Sequence, residues 1–331
     1  MLKPEPLNLF YEEPESDRWI KYDRYPRKLI RRIIRGKQAP GGVMMIALQL
    51  MKGLDRLNIP YRFNDYAYVK KNSDALIGVI GKPHLIFEKK FQNPILFGAG
   101  VFSHPIEEPL LFEKYPNVKH MLVPGEWMVE MCKPYYGNLV SAWPAGIDTN
   151  KWAPQVNIEK PIVDFLIYDK IRWDRDVFIP NLYIPISNIL NSQGLTFETI
   201  RYGFYKTEEL AAKLSTCKAV IFLCEHETQG FAYQQILSSD TPILAWDRGG
   251  FWQDPYYFPD KVKFQPVSSV PYWDDRCGIK FKAVEDFESS LKLFNILYNE
   301  NKFAPRNYIL DHLTLEKCAR QYYDIYNSIL K

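Results

Sequence analysis

Residues Lys218–Gly250 read KAVIFLCEHETQGFAYQQILSSDTPILAWDRGG. Ala219 to Leu223 is an unbroken apolar run of strand length, the pattern of a strand buried on both faces. A polar loop with Gly230 follows, then a helix around Tyr233–Ser238 and a second apolar strand, Pro242–Ala245. Two such strands joined through a helix predict a parallel α/β sheet. At the junction of loop and helix, unpaired N–H groups and a partial positive charge favour an anion such as a diphosphate. Gly230 lets the backbone approach that anion closely. Glu227 and Gln235, eight positions apart, are placed to face one ligand. The alternative is a plain α/β turn with a polar helix face.

Working outward, the same alternation covers the chain. Strands are expected at 6–11, 61–63, 75–80, 94–97, 120–123, 139–143, 162–168 and 196–202. Helices are expected after Gly41-Gly42, at 126–135, 207–215 and 314–330. The turn-rich stretch 144–161 reads as a linker. Two α/β halves joined near the middle suggest a cleft between them, a favoured ligand site. The chain would thus divide into a first half, 1–155, and a second, 156–312, followed by the helical stretch 313–331. A length of 331 residues suits two domains.

A net charge of +3 argues against a nucleic-acid partner, which selects strongly basic domains. Five cysteines, none in C-x-x-C spacing, read as reduced thiols of a cytoplasmic compartment. The opening MLKPEPLNLFYEEPESD has no apolar signal core, and no apolar run approaches the ~20 residues that span a bilayer.

Three stretches together resemble the retaining GT-B nucleotide-sugar glycosyltransferases of the large bacterial family four (glycosyl transferases group 1). They are Pro124–Met128 with Pro144–Pro154, the quoted stretch Lys218–Gly250, and Gly41-Gly42 at the head of the first long helix. The resemblance implies the GT-B fold, two facing Rossmann-like domains, with 1–155 and the crossover helix 313–331 forming the first and 156–312 the donor-binding second. It also implies transfer of a sugar from a nucleotide-sugar donor to a glycan or lipid-linked acceptor, with retention and without metal or other cofactor. Its E-x7-E pattern falls on Glu227, which would touch the donor sugar, and on Gln235, which stands where the family has a ribose-binding Glu. Gly41, Gly42, Gln229, Gly230, Phe231 and Ala232 would complete the donor site, Ala232 replacing a consensus Gly. Lys170 and Arg172 fall where the family neutralises the leaving diphosphate, an electrostatic role; the alternative is a solvated loop. As a loop residue facing a ligand, Glu227 is expected to contribute little to packing.

Ser103-His104-Pro105 follows a Gly-rich loop at a strand end, and some family members place a His here against the donor sugar. His104 is therefore a catalytic candidate, with a surface or capping role as the alternative. No His/Cys/Asp/Glu spacing suggests a metal site. In YPRKLIRRIIRG, residues 25–36, Leu29, Ile30, Ile33 and Ile34 fall on one helix side and five cations on the other. That pattern suits an anionic membrane surface, giving a cytoplasmic protein peripheral to a membrane; a helix packed on its own domain is the alternative. Two other functions stay open: a nucleotide-sugar epimerase or phosphorylase on the same fold, and a degenerate, non-catalytic sugar- or nucleotide-binding protein.

Overall fold

The computed structural model describes residues 5–13, 41–99, 104–154 and 162–330. The basic segment 25–36 and loop residues 100–103 lie outside the described residues.

Contacts divide the chain into two units. The first holds the described residues of Met1–Pro124, Cys132–Ala145 and Cys318–Lys331. Its strands are β1 (Leu7–Phe10), β2 (Tyr61–Phe63), β3 (Ile77–Val79), β4 (Ile95–Gly98), β5 (Val118–Val123) and β6 (Val140–Ala142). Helices α1 (Gly42–Arg56), α2 (Tyr66–Lys71), α3 (His84–Lys89) and α4 (Leu111–Lys114) alternate with them, and α5 (Glu126–Tyr136) contributes residues to both units. All pairs are parallel, in the order β2-β1-β3-β4-β5-β6. Strands β1, β3 and β4 are buried at every residue, as strands covered on both faces must be.

The second unit comprises Gly125–Met131 and the described residues of Gly146–Lys317. It runs β7 (Val163–Lys170), α6 (Arg175–Phe178), α7 (Ile184–Ser192), β8 (Phe197–Arg201), α8 (Thr207–Leu214), β9 (Cys217–Cys224), α9 (Phe231–Ser238), β10 (Ile243–Trp246), β11 (Gly278–Phe281), α10 (Phe287–Asn299) and α11 (Pro305–His312). A last helix, α12 (Leu315–Ser328), contributes residues to both units. The sheet order is β11-β10-β9-β7-β8, again all parallel. Alternate residues of β7 and β9 serve the two faces. Phe165, Ile167, Ala219, Ile221 and Leu223 pack with Ile186 and Leu190 of α7 and Leu291 and Phe294 of α10. On the other face Tyr168 stacks on Phe222, 5.2 Å between centroids, and Phe222 meets Tyr233 of α9. Truncating a residue such as Ile221 to Ala would cost about 2–5 kcal/mol.

The expected strands all form, within a few residues of their predicted ends, and one is added. Strand β11 is short, lies at the sheet edge, and joins only through its pairing with β10. Gly278 opens it at φ +141, and a Cβ there would lie 1.9 Å from the Ile243 carbonyl oxygen, so only glycine fits. Between β10 and β11 the chain runs through an irregular connection whose Trp252, Val262, Val267, Val270 and Tyr272 are buried.

Candidate functional site

Numbering the second unit's strands from its own start, the sheet order is 2-1-3-4-5, and the order reverses between β7 and β9. In open parallel sheets ligands bind outside the carboxyl ends of the strands at this switch point. Lys170 is the last residue of β7 and pairs in register with Cys224, the last of β9. The residues just beyond are Ile171-Arg172-Trp173 on one side and Glu225-His226-Glu227 on the other.

Lys170 and Glu227 form an ion pair, Nζ to Oε2, and their side chains are 8% and 7% exposed. Burial alone would push the Lys170 ammonium down; the charge of Glu227 and its hydrogen bond outweigh that and hold it above the ordinary lysine value. The ammonium also lies 4.3 Å from the centroid of the Tyr202 ring. Glu227 is thus a buried, paired carboxylate, which corrects the expectation that it contributes little to packing. Removing it alone would leave an uncompensated buried charge. Its loop is held by Glu227 N–H donating to the Ser268 carbonyl at 2.8 Å and by Trp127 Nε1–H donating to the Glu227 carbonyl at 2.9 Å.

Arg172 donates from Nη2 to the His226 carbonyl at 2.9 Å and lies 3.7 Å, Nε to Oε2, from Glu225. The His226 imidazole stacks on Trp173, centroids 5.1 Å apart, with Trp127 and Trp252 edge-on. Burial, then the charges of Arg172, Arg248 and Lys170, hold His226 well below the ordinary histidine value, so it is neutral at neutral pH.

Gly230 sits at φ +64 immediately before α9. A Cβ there would meet the Tyr233 ring at 2.0 Å and Glu227 Cγ at 2.8 Å. The left-handed backbone and the tight packing both demand glycine. Gln229 is buried, and Phe231 and Ala232 open α9 half-buried. Gln235 lies half-buried on the second turn, its side chain making no hydrogen bond to a described residue.

Glu227, Lys170, Arg172, Gln229, Gly230, Phe231, Ala232 and Gln235 thus belong to one region of the second unit. His104, Gly41 and Gly42 belong to the first unit. There His104 Nδ1 accepts the Ile106 N–H at 3.0 Å and caps a short 3-10 turn, the capping alternative raised by the sequence. Burial lowers its pKa to about 4. Gly41 caps α1 with Glu13 3.8 Å from where a Cβ would lie, and no described residue lies within 4 Å of one at Gly42, so the described residues leave space at both glycines. Sequence reasoning missed Glu225, Trp127, Trp173, Trp252 and Arg248. Their one legible signal is the density of polar residues in Glu225-His226-Glu227, straight after a buried strand. The described residues contain no group of three or more His, Cys, Asp or Glu placed to hold a metal ion, and no helix long and apolar enough to cross a membrane.

No protein-family profile and no curated protein matches the chain. Solved structures do. Sucrose-phosphate synthase from Thermosynechococcus elongatus aligns with a TM-score of 0.59 at 13% identity, over 98% of this chain and 99% of that one. Anabaena HepE, solved in complex with UDP, aligns with a TM-score of 0.55 at 9% identity, over 88% of this chain and 98% of HepE. TarM aligns with a TM-score of 0.54 at 12% identity over 79% of this chain, which spans only 57% of TarM. At such identities the likeness speaks to architecture, and with two parallel sheets and interleaved helices the chain has the GT-B fold of these glycosyltransferase structures.

Proposed function

We propose that the chain is a glycosyltransferase that moves a sugar from a nucleotide-sugar donor to a glycan or lipid-linked acceptor. The observation that carries this reading is the Lys170–Glu227 pair at the switch point, beside the Gly230-headed helix α9. The pair, with Arg172, offers what departure of a nucleoside diphosphate needs: cations for the developing phosphate charge and a carboxylate for sugar hydroxyls. Helix α9 adds free N–H groups at its start. Glu227 would bind the sugar, Lys170 and Arg172 the diphosphate, and Gln235 the ribose.

Retention enters this reading only through the resemblance to the family-four enzymes. As no side chain of the site stands out as a covalent nucleophile, the reaction would pass through an oxocarbenium-like state. Lys170 and Arg172 are proposed to take the charge a divalent ion would otherwise neutralise, and no cofactor is assigned. A cytoplasmic protein peripheral to an anionic membrane through residues 25–36 completes the proposal.

Thermal-shift titration with UDP-, GDP-, ADP- and dTDP-sugars tests it, since binding to the folded state raises apparent stability. UDP, present in the HepE structure, is the first nucleotide to try. At least one donor should stabilise the chain and release its nucleoside diphosphate in the presence of an acceptor, with EDTA leaving the rate unchanged. Absence of a shift with every donor would sink the reading. Donor binding without turnover across a broad acceptor panel would favour the non-catalytic alternative, in which Lys170 and Glu227 only neutralise each other.

A further inference from the structure

We infer that Glu225 is a positioning residue that aims Arg172 at the leaving diphosphate; the inference rests on the donor-site reading above. Glu225 follows β9 directly, and its side chain is completely buried. Its Oε1 accepts two consecutive backbone N–H groups from the neighbouring strand's end, Arg172 at 2.7 Å and Trp173 at 2.9 Å. The preceding amide, Ile171, donates to Asp169 Oδ1 at 3.1 Å, and Asp169 is itself clamped by both terminal nitrogens of Arg175. Three successive amides at the end of β7 are therefore satisfied from inside by two buried carboxylates. Successive free amides form a concavity that draws anions. Here that capacity is already used, so the Arg172 guanidinium is the group left to meet a ligand.

The two oxygens of Glu225 do different jobs. A neutral glutamine oxygen can still accept from the two backbone amides, though less strongly than the carboxylate. What needs a charge is the other side: Oε2 accepts no hydrogen bond, yet lies 3.7 Å from Arg172 Nε. A buried carboxylate is costly unless a cation offsets it, and the charge of Glu225 also reaches Arg248. The guanidinium is then fixed at three places: Nε near Glu225, Nη2 on the His226 carbonyl, and its face against Trp173, 4.3 Å from the ring centroid. The turn is held by the acceptor and the guanidinium by the charge.

Glu225→Gln separates these roles, because it keeps an acceptor for the turn and removes the charge. The test is a double-mutant cycle of Glu225→Gln and Arg172→Ala in the full chain, read in two ways. Urea denaturation of the free protein should show the two substitutions coupled, since contacting residues are non-additive. Calorimetric titration with UDP should show Glu225→Gln weakening binding about tenfold, the loss of one charge-assisted contact. In the Arg172→Ala background the same change should weaken it less than twofold. Net charge alone predicts the opposite sign, because removing an anion beside the site favours UDP. Tighter binding by Glu225→Gln, equal losses in both backgrounds, or additive denaturation would each overturn the inference. Should the unmodified chain bind no UDP or other nucleoside diphosphate, the donor-site reading falls, and the denaturation cycle still decides whether Glu225 holds Arg172.

Discussion

The two units share one strand order and differ in what stands at the switch point. In the first unit the order reverses between β1 and β3. Beyond β1 come Tyr11, Glu12 and Glu13: Glu12 accepts from the Tyr66 hydroxyl at 2.6 Å and meets Lys89 at 3.3 Å, and Glu13 accepts from the Tyr11 hydroxyl at 2.6 Å. These acids are partly exposed and served mainly by hydroxyls. In the second unit Lys170 ends β7 with Arg172 just past it, and Glu225 and Glu227 follow β9, with the lysine and the acids buried and paired. Under the proposed function, the partly exposed acids of the first unit would face hydroxylated ligands and the cations of the second would face phosphate. The fold supplies the position, and the few residues past each strand supply the chemistry.

The sharpest way to break this comparison is to remove one acid from each unit. Glu227→Ala should lower transfer by at least about 100-fold and cost about 3–5 kcal/mol of stability by stranding Lys170. Glu227→Gln should lose similar activity at smaller cost, since its amide oxygen can still accept from Lys170. Turnover assays and urea denaturation check both, and near-normal turnover in either variant would remove Glu227 from the site. Glu12→Gln should cost less than about 1 kcal/mol, as a partly exposed pair does, and leave UDP affinity unchanged. A large loss of UDP affinity there would erase the proposed division between the mouths.

Gln235 offers a smaller, more discriminating effect. A carboxylate makes stronger hydrogen bonds to a ribose than an amide, a difference of roughly 1 kcal/mol. Gln235→Ala should weaken UDP binding several-fold, and Gln235→Glu should bind at least as tightly as the parent. Normal binding by Gln235→Ala would take this residue away from the ribose.

The smallest effect is in pH. Burial lowers His104 to about 4 and holds His226 well below its usual value. Both protonate in the unfolded chain near pH 6.5 and resist it when folded. The unfolded state therefore binds more protons below pH 6.5, and stability should fall as pH drops from there toward 4. His104→Asn, which keeps a capping acceptor, should flatten that slope in urea denaturation followed from pH 7 to 4. An unchanged slope would show that His104 titrates normally.

Much of the fold was legible because it is written locally. The apolar runs Phe165–Tyr168 of β7, Ala219–Leu223 of β9 and Ile243–Trp246 of β10 mark strands buried on both faces, and Gly230 ahead of a helical pattern marks the turn that opens α9. From these, the parallel α/β class and the loop holding Glu227 follow without coordinates. The strand order does not. Nothing in the periodicity of β7 or β9 says that they are neighbours, yet their adjacency brings Lys170 to Glu227 across 57 positions of sequence. Pairing also creates β11, whose four residues carry little strand pattern of their own. Burial decides the rest. The sequence places Glu225 and His226 only in a polar loop; the structure makes one a carboxylate holding the end of β7 and the other a neutral ring among three tryptophans. Local pattern specifies elements because side-chain period follows backbone geometry. Charge, pairing and protonation depend on which distant residues exclude water, and only the folded chain decides that.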